Sequence, residues 1–222
     1  MNTYSHYIVL DRNFGNSLGQ IRSLGEMGVK PVLIWVGNKN LVPNDSKYLS
    51  DTILMDSIDD GIDYMIEHYS NMPSKVYIST GTDAIVEALD MNYERLKDSF
   101  IFYNCACQGR LSHEMQKINL VKSAEECGFK VPESEIVRVG TLPSKLKYPI
   151  LTKAVDSTNP LWKTYVHICK DEQELKLVYS KMEENQNILL QEYIEKKNEF
   201  ILQGIVISGN VSNKRRVHRY LW

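Results

Sequence analysis

The stretch KYPILTKAV, residues 147–155, has the apolar composition of a buried β-strand but carries a lysine in its middle. If the segment alternates between two faces, Ile150, Thr152 and Ala154 share one of them. Lys153 then lies on the opposite face among apolar neighbours, where an ammonium group needs an anionic partner. One interpretation is an edge-strand lysine that reaches solvent along its aliphatic stem. The other is a compact charge that binds phosphate.

Three neighbouring segments extend this strand into a small α+β unit. TYVHIC (164–169) and NILLQEYI (187–194) predict strands, and DEQELKLVYSKMEEN (171–185) predicts a helix between them. With the strand around Lys153, this makes three strands and one helix in about fifty residues, too little chain to bury a large core. We therefore expect this three-stranded unit to pack as a lid on a larger domain.

The first half of the chain alternates strand and helix patterns. Apolar residues at helical spacing separate five short apolar runs, and strands separated in this way predict a parallel sheet with right-handed crossovers. We therefore expect a Rossmann-like α/β domain whose strand order reverses beside the first strand. The predicted strands are HYIVLD (6–11), KPVLIWVG (30–37), DTILMD (51–56), KVYIST (75–80) and SFIFYNC (99–105).

Two loops of this half fall at the edge of the sheet where ligands bind. In parallel sheets that edge is formed by the carboxyl ends of the strands, which places DRNFGNSLG (11–19) and STGTD (79–83) there. The glycine spacing does not fit GxGxxG, so a dinucleotide site is not predicted. Four polar residues in these loops are candidates either for substrate contact or for turn formation and helix capping. They are Asn13, Asn16, Ser17 and Asp83.

Composition and charge restrict the possible partners. The 222 residues carry a formal net charge of -2, and the chain has no apolar run of membrane-spanning length. We expect no membrane partner, no nucleic acid and a cytoplasmic location. A basic cluster near the end, at Lys214, Arg215, Arg216, His218 and Arg219, is a weaker alternative for nucleic-acid binding.

The sequence contains four cysteines. The cysteines form no CxxC pair, so we expect free, mostly buried thiols and no metal site.

Residues 112–127, which join the two halves of the chain, predict one helix that Ser112 caps and Gly128 ends, with Lys117 in its first turns. Its predicted apolar stripe consists of Ile118, Leu120, Val121, Ala124 and Cys127.

Taken in order, four segments resemble the ATP-grasp superfamily, in particular its carboxylate-amine ligase branch. The members of that branch include D-alanine-D-alanine ligase, D-aspartate ligase and the large chain of carbamoyl phosphate synthetase. The segments are HEMQKINLVKSAEECGFKVPES (113–134), YPILTKAVDST (148–158), ICKDEQEL (168–175) and ILLQEYIEKKNEF (188–200).

The resemblance implies a domain organisation for the whole chain. Residues 1–111 would be the Rossmann-like domain that precedes the ATP site, and residues 112–147 the linking helix and the start of the ATP-grasp domain. Residues 148–200 would be the lid subdomain. Residues 201–222 would be the beginning of an incomplete C-terminal subdomain.

The resemblance also implies nucleotide contacts. Lys117 and Lys153 match the two lysines that neutralise the nucleotide phosphates. Gln191 and Glu192 match the hinge residues that lie against adenine, and the alternative is that both are ordinary polar residues of a sheet.

Three further contacts follow from the same match. The backbone at Tyr193 and Ile194 would bind the edge of the adenine ring. Glu199 would hold the ribose hydroxyls, with Glu195 in its place if the loop is shorter. A solvated turn is the alternative interpretation of this loop.

Two departures from the family pattern affect the expected site. The loop DSTNPLWK (156–163) has no glycine, so phosphate contacts there would come from Ser157, Thr158 or Lys163. Family members continue beyond the point matched by Trp222, with acidic residues that bind Mg²⁺ and an arginine that stabilises the acyl phosphate. The last segment here predicts a hairpin that turns at residues 208–210, and we expect the apolar run ILQGIVI (201–207) to be exposed or covered by another copy.

In the family, ATP phosphorylates a carboxylate, and an amine attacks the acyl phosphate. The resemblance thus implies ATP, a small carboxylate and an amine as partners, with Mg²⁺ held by residues of the missing part. We expect this chain to lack catalysis on its own. The alternative is a non-catalytic binding module that a partner chain or a second copy completes at its C-terminal edge.

Overall fold

The computed structural model describes residues 6–155, 162–197, 199–207 and 210–219. These residues form two compact units. The first extends to Phe129, and the second contains residues 130–155 and the described residues from 162 onward. The domain boundaries implied by the family resemblance stay a prediction.

The first unit contains a parallel sheet of five strands in the order β3-β2-β1-β4-β5. The order reverses beside β1, which confirms the predicted parallel sheet and its predicted strand-order reversal. The strands are β1 (Tyr7–Asp11), β2 (Val32–Trp35), β3 (Asp51–Leu54), β4 (Val76–Ser79) and β5 (Phe100–Ile101). The helices are α1 (Phe14–Glu26), α2 (Ile58–Tyr69), α3 (Asp83–Met91), α4 (Tyr93–Leu96), α5 (Arg110–Met115) and α6 (Lys117–Glu126), with a short 3-10 helix at Lys39–Leu41.

Both faces of this sheet are covered. Val9 and Leu33 pack with Ile21 of α1 on one face, in a cluster that also contains Trp35. Ile8 and the alternate residues of its neighbouring strands pack against α2 and α3 on the other face. Double coverage explains why β2 and most of β1 are continuous apolar runs, because both sets of alternating side chains are buried there, whereas β3 at the edge of the sheet is exposed or half-buried.

The helix predicted over residues 112–127 is instead two helices. Gln116 has an extended backbone (φ -65°, ψ 132°), which ends α5 and lets α6 begin at Lys117. Ser112 lies inside α5, where its N–H and Oγ each donate to Asp90 Oδ2 at 2.8 Å. The prediction of one helix capped by Ser112 is therefore wrong. The apolar stripe is not buried either, since Ile118 and Leu120 are 55% and 61% exposed.

A methyl group added at each of two glycines in α1 is expected to change the free energy of unfolding in opposite directions. A Cβ at Gly25 would lie 2.1 Å from Cγ of Tyr48, whereas a Cβ at Gly19 would meet nothing within 4 Å. Gly25→Ala must displace the Tyr48 ring, so we expect it to lower the free energy of unfolding by about 1 to 2 kcal/mol.

Gly19→Ala is the matched control in the same helix. It should raise the free energy of unfolding by roughly 0.5 to 1 kcal/mol, because alanine is the better helix former. Urea unfolding of both variants measures the two effects. Equal effects of the two substitutions would contradict the close approach of Tyr48 to α1.

The second unit contains an antiparallel sheet of four strands in the order β6-β9-β7-β8. The three-stranded prediction missed β6, which pairs with β9 along its whole length. The predicted long helix is the shorter α7, and Asp171 caps it by accepting the N–H of Glu174 at 2.9 Å. The elements are β6 (Ser134–Arg138), β7 (Ile150–Ala154), β8 (His167–Cys169), α7 (Glu172–Tyr179) and β9 (Asn187–Glu192), with a 3-10 helix at Trp162–Tyr165.

A separate two-stranded antiparallel sheet follows, which confirms the predicted hairpin. It consists of β10 (Glu199–Ile207) and β11 (Asn210–Arg219), while residues 208–209 lie outside the described part. Val206 is 65% exposed, as predicted for the apolar run. The side chains of the other residues in 201–207, and those of the basic cluster in β11, lie outside the described part.

Three further observations concern the whole described chain. All four cysteines are free, as predicted, but Cys169 alone is buried while Cys107 and Cys127 are exposed, so the expectation of mostly buried thiols is wrong. No helix in the described ranges is long and apolar enough to cross a membrane. No group of three or more His, Cys, Asp or Glu side chains that could hold a metal ion occurs among these residues.

Glu135 of β6 anchors the loop that leads to β7. Its carboxylate accepts the Ser144 Oγ–H at 2.8 Å and backbone N–H groups of Ser144, Lys145 and Leu146 at 3.0 to 3.4 Å. Burial raises the pKa of this carboxyl, but the hydrogen bonds from Ser144 and the following N–H groups outweigh burial and lower the pKa below its ordinary value of 4.5.

A lowered pKa in the folded state predicts a pH-dependent contribution to stability. The contribution is fully present above the unfolded pKa of 4.5 and is lost as the pH falls through the lower folded value. We expect Glu135→Gln to lower the free energy of unfolding by about 1 kcal/mol at pH 7 and by progressively less below pH 4.5. Urea unfolding at pH 7 and pH 3 measures this difference, with the exposed Glu184→Gln as the control. A difference that is the same at both pH values would contradict the ionised anchor.

Candidate functional site

Lys153 and the first hinge residue meet on one face of the four-stranded sheet. Ile150, Thr152 and Ala154 are buried on the core face of β7, and Lys153 is half-buried on the other, which confirms the predicted alternation. Lys153 Nζ donates to Gln191 Oε1 at 2.7 Å. Since β7 and β9 pair, two segments separated by about forty residues of chain supply this contact.

The surroundings of this contact are partly apolar. Gln191 is 7% exposed, and Leu189, two residues before it on β9, is equally buried. Ile168 of β8 and Ile136 of β6 lie on the same face and are exposed. The ammonium of Lys153 is therefore held by a buried amide at the border between a sheltered and an open part of the sheet.

The hinge segment after Gln191 is fixed from both sides. The N–H of Glu192 donates to the Glu133 carbonyl at 2.8 Å, and the N–H of Glu133 donates back to Glu192 Oε2 at 3.3 Å. The N–H of Tyr193 donates to the Pro149 carbonyl at 3.3 Å. Ile194 follows as an exposed residue, and its N–H has no hydrogen-bond partner within the described part of the chain.

The other predicted nucleotide contacts are placed only by their backbone. Lys117 is the first residue of α6, Lys163 lies in the 3-10 helix before β8, and Glu199 begins β10. Their side chains lie outside the described part, as do Ser157 and Thr158 entirely. Their roles stay predictions, and so does the placement of Lys117 in one cleft with Lys153.

The predicted substrate residues of the first unit lie at the carboxyl edge of its sheet. Asn13 caps α1 by accepting the N–H of Asn16 at 3.1 Å, and Ser17 Oγ donates to the Asn13 carbonyl at 2.6 Å. Asn16 Nδ2 donates to the Gly81 carbonyl at 2.7 Å and so joins the two loops. Asp83 is an exposed residue in the first turn of α3. The capping alternative thus describes Asn13, whereas Ser17 is buried inside α1 and donates to the carbonyl four residues before it. Ligand contact stays a prediction for all four.

Sequence analysis missed Asp11, the last residue of β1. Asp11 is fully buried at the point where the strand order reverses, between β2 and β4. Its carboxylate accepts five hydrogen bonds. Oδ1 accepts the Arg12 N–H at 2.8 Å, the Asn13 N–H at 3.2 Å and the Thr82 hydroxyl at 2.5 Å, and Oδ2 accepts the Gly81 N–H at 3.1 Å and Gln20 Nε2 at 3.3 Å.

Asp11 therefore ties the loop after β1 to the loop after β4. A signal for this role was present in the sequence, because an acidic residue ends an apolar strand at the predicted reversal of strand order. Such a carboxylate must be hydrogen-bonded if it is buried.

Several solved structures are similar to this chain in fold. An L-amino acid ligase from Bacillus licheniformis superposes with a TM-score of 0.68 at 15% identity, covering 95% of this chain and 49% of that one. An N5-carboxyaminoimidazole synthetase from Staphylococcus aureus complexed with ADP gives 0.65 at 12% identity, covering 98% and 56%. D-alanine-D-alanine ligase from Bacillus anthracis complexed with ATP gives 0.55 at 11% identity, covering 100% and 72%. The fold is that of the ATP-grasp ligases.

A family comparison agrees with the fold. Residues 115–219 match the family described as the RimK-like ATP-grasp domain. The resemblance to the ATP-grasp superfamily is thus confirmed, in fold for the whole chain and in sequence for residues 115–219. No curated protein matches the chain by sequence. The chain spans about half the length of the first two of these solved structures.

Proposed function

We propose that the protein is an ATP-dependent ligase that joins a carboxylate to an amine, and that this chain binds ATP on its second unit. The observation that carries the proposal is the 2.7 Å hydrogen bond between Lys153 Nζ and Gln191 Oε1. It brings together, on one face of one sheet, the lysine that we propose binds phosphate and the first residue of the segment that we propose binds adenine. Neither residue type is usual on a half-apolar strand face without a polar ligand.

The nucleotide contacts follow from this geometry. Lys153 would neutralise phosphate charge, and Gln191, on the same face, would hold its ammonium in place. Glu192 follows on the opposite face of β9, so its contact with adenine rests on the family resemblance alone. The N–H groups of Glu192 and Tyr193 are already used, so the exposed N–H of Ile194 is the hinge donor for the adenine edge. Lys117, Ser157, Lys163 and Glu199 keep the roles that the family resemblance implies.

The chemistry of such a ligase is positioning and charge neutralisation around the transferred phosphoryl group. A fixed lysine stabilises the charge on that group without reorganisation at the moment of transfer. Mg²⁺ would supply further neutralisation, but the described residues contain no cluster of ligands for it, so no residue is assigned to the ion.

The first unit would hold the substrate at the edge organised by Asp11. Asn13, Asn16 and Asp83 are exposed there, and the capping bond of Asn13 fixes the loop without consuming every polar atom. Ser17 is fully buried, so a substrate contact by its side chain would require the loop to move. We also propose a cytoplasmic location and small-molecule partners, with no nucleic acid or membrane. The alternative of a non-catalytic module completed by a partner chain or a second copy stays open.

Calorimetry of the full chain with ATP and with GTP, each with Mg²⁺, tests the proposal. We expect ATP to bind and GTP to bind more weakly, because the hinge backbone would face the hydrogen-bonding edge of adenine, which differs from that of guanine. ATP binding in the absence of any ligation would favour the non-catalytic alternative. No binding of either nucleotide at millimolar concentration would overturn the assignment of the second unit.

A further inference from the structure

A groove of about 450 Å³ runs along α1 in the first unit. Phe14, Leu18 and Arg22 recur every fourth residue and form one wall. The segment between β2 and β3, residues 42–48, forms the other wall. A volume of this size is in the range of small-molecule sites.

The far wall of the groove is fixed in place before any ligand binds. The ring of Tyr48 lies directly on the α1 backbone at Gly25, as the 2.1 Å approach of an added Cβ shows. Val42 and Tyr48 pack against the apolar cluster beneath α1, and Pro43 is buried. The N–H of Leu49 closes a turn on the Ser46 carbonyl at 3.1 Å. The groove is therefore a formed feature and not a gap beside a loose loop.

The lining combines an apolar floor with a basic rim. Phe14 is 46% exposed although it is aromatic, and Leu18 and Val42 are only half-buried. Arg22 and Lys47 stand at the rim, and neither forms an ion pair within the described part of the chain. Lys47 instead lies over the Tyr48 ring at 5.0 Å, and Asp45 is the single acid of the lining.

We infer that this groove binds a small molecule that joins an aromatic or branched apolar group to an anionic group. The apolar group would cover Phe14 and Leu18, and the anion would meet Arg22 and Lys47. The inference rests on the proposed function in one respect, since it identifies this ligand with the non-reacting part of the substrate. Phe14 and Leu18 directly follow Asn13 and Ser17, so the groove continues the predicted substrate edge.

Nuclear magnetic resonance of the full, ¹⁵N-labelled chain tests the inference with three probes. Phenylacetate has both groups, acetate has the anion alone, and phenylethylammonium has the ring with the opposite charge. We expect phenylacetate to shift the amide signals of Leu18, Arg22 and Ser46, and the other two probes to shift them much less. Equal shifts from acetate, or larger shifts from phenylethylammonium, would overturn the ligand class.

Two variants locate the binding. Leu18→Trp fills the groove and should abolish the phenylacetate shifts, while Met27→Trp, at the exposed residue that follows α1 and lies outside the lining, should leave them unchanged. Arg22→Gln should weaken binding about two- to fivefold, as for an exposed charge contact, and Arg110→Gln should not. If Leu18→Trp does not fold, Phe14→Ala at an exposed position takes its place. Unchanged shifts in the groove variants would overturn the site.

An ATP titration of the same samples keeps the two proposals separate. Phenylacetate shifts at the groove without ATP binding would contradict the proposed function and leave the groove in place. ATP binding without phenylacetate shifts would contradict the groove alone.

Discussion

Lys153→Met is expected to weaken ATP binding by roughly 1.5 to 3 kcal/mol, which is about ten- to 150-fold in the dissociation constant. Methionine keeps most of the aliphatic length and removes the charge, so a phosphate group loses a charge-assisted hydrogen bond. Calorimetry of the full chain with ATP and Mg²⁺ measures the change. A dissociation constant within twofold of the unchanged chain would show that Lys153 is a structural lysine.

The controls separate charge from packing. Lys170→Met removes an exposed lysine next to β8 in the same unit and should leave ATP binding unchanged. Lys153→Met also removes the donor to the buried Gln191 amide, so it should cost stability as well. The double variant Lys153→Met/Gln191→Leu removes both polar partners and should recover stability without recovering ATP affinity.

Asp11→Asn is expected to lower the free energy of unfolding of the first unit by about 3 kcal/mol. All five hydrogen-bond partners of Asp11 are donors, whereas an asparagine side chain presents an NH₂ group at one of its two positions. If the NH₂ group takes the position of Oδ2, it faces the donors of Gly81 and Gln20. If it takes the position of Oδ1, it faces the three donors that reach that oxygen. Buried donors would be left without acceptors.

Urea unfolding followed by the amide signals of β1 and α1 measures this loss for the first unit specifically. Asp51→Asn is the control, because Asp51 is an exposed strand residue whose carboxylate accepts the N–H of the adjacent Thr52 at 2.8 Å. It should change the free energy of unfolding by less than about 0.5 kcal/mol. If the two substitutions cost the same, Asp11 does not hold the loops together.

The sequence was sufficient for the elements whose side chains follow a simple period. β1 and β2 are largely apolar on both faces, and Gly28, which follows α1, adopts a positive φ of 81°, which is typical of a helix end. Lys153 was assigned to the correct face because β7 alternates strictly between buried and half-buried residues. The family resemblance added the prediction that Lys153 and residues 191–194 contact the nucleotide.

The failures share a physical cause, which is a polar side chain engaged by a distant part of the chain. β6 was missed because Glu135 occupies a core-facing position, and its carboxylate is satisfied by a loop about ten residues away. The predicted cap at Ser112 was wrong because Asp90 of α3, some twenty residues earlier, holds its N–H and hydroxyl. Asp11 was missed for the same reason, since its partners Gly81 and Thr82 are some seventy residues further along.

The long separation between Asp11 and its partners has a consequence during protein synthesis. When β1 and α1 have left the ribosome, the carboxylate can accept from Arg12, Asn13 and Gln20, but Gly81 and Thr82 do not yet exist. A nascent chain that ends before β4 thus contains the loop after β1, but it lacks the hydrogen bonds from Gly81 and Thr82 that join this loop to the loop after β4. The carboxyl edge that we propose for the substrate is therefore complete only after β4 has docked beside β1.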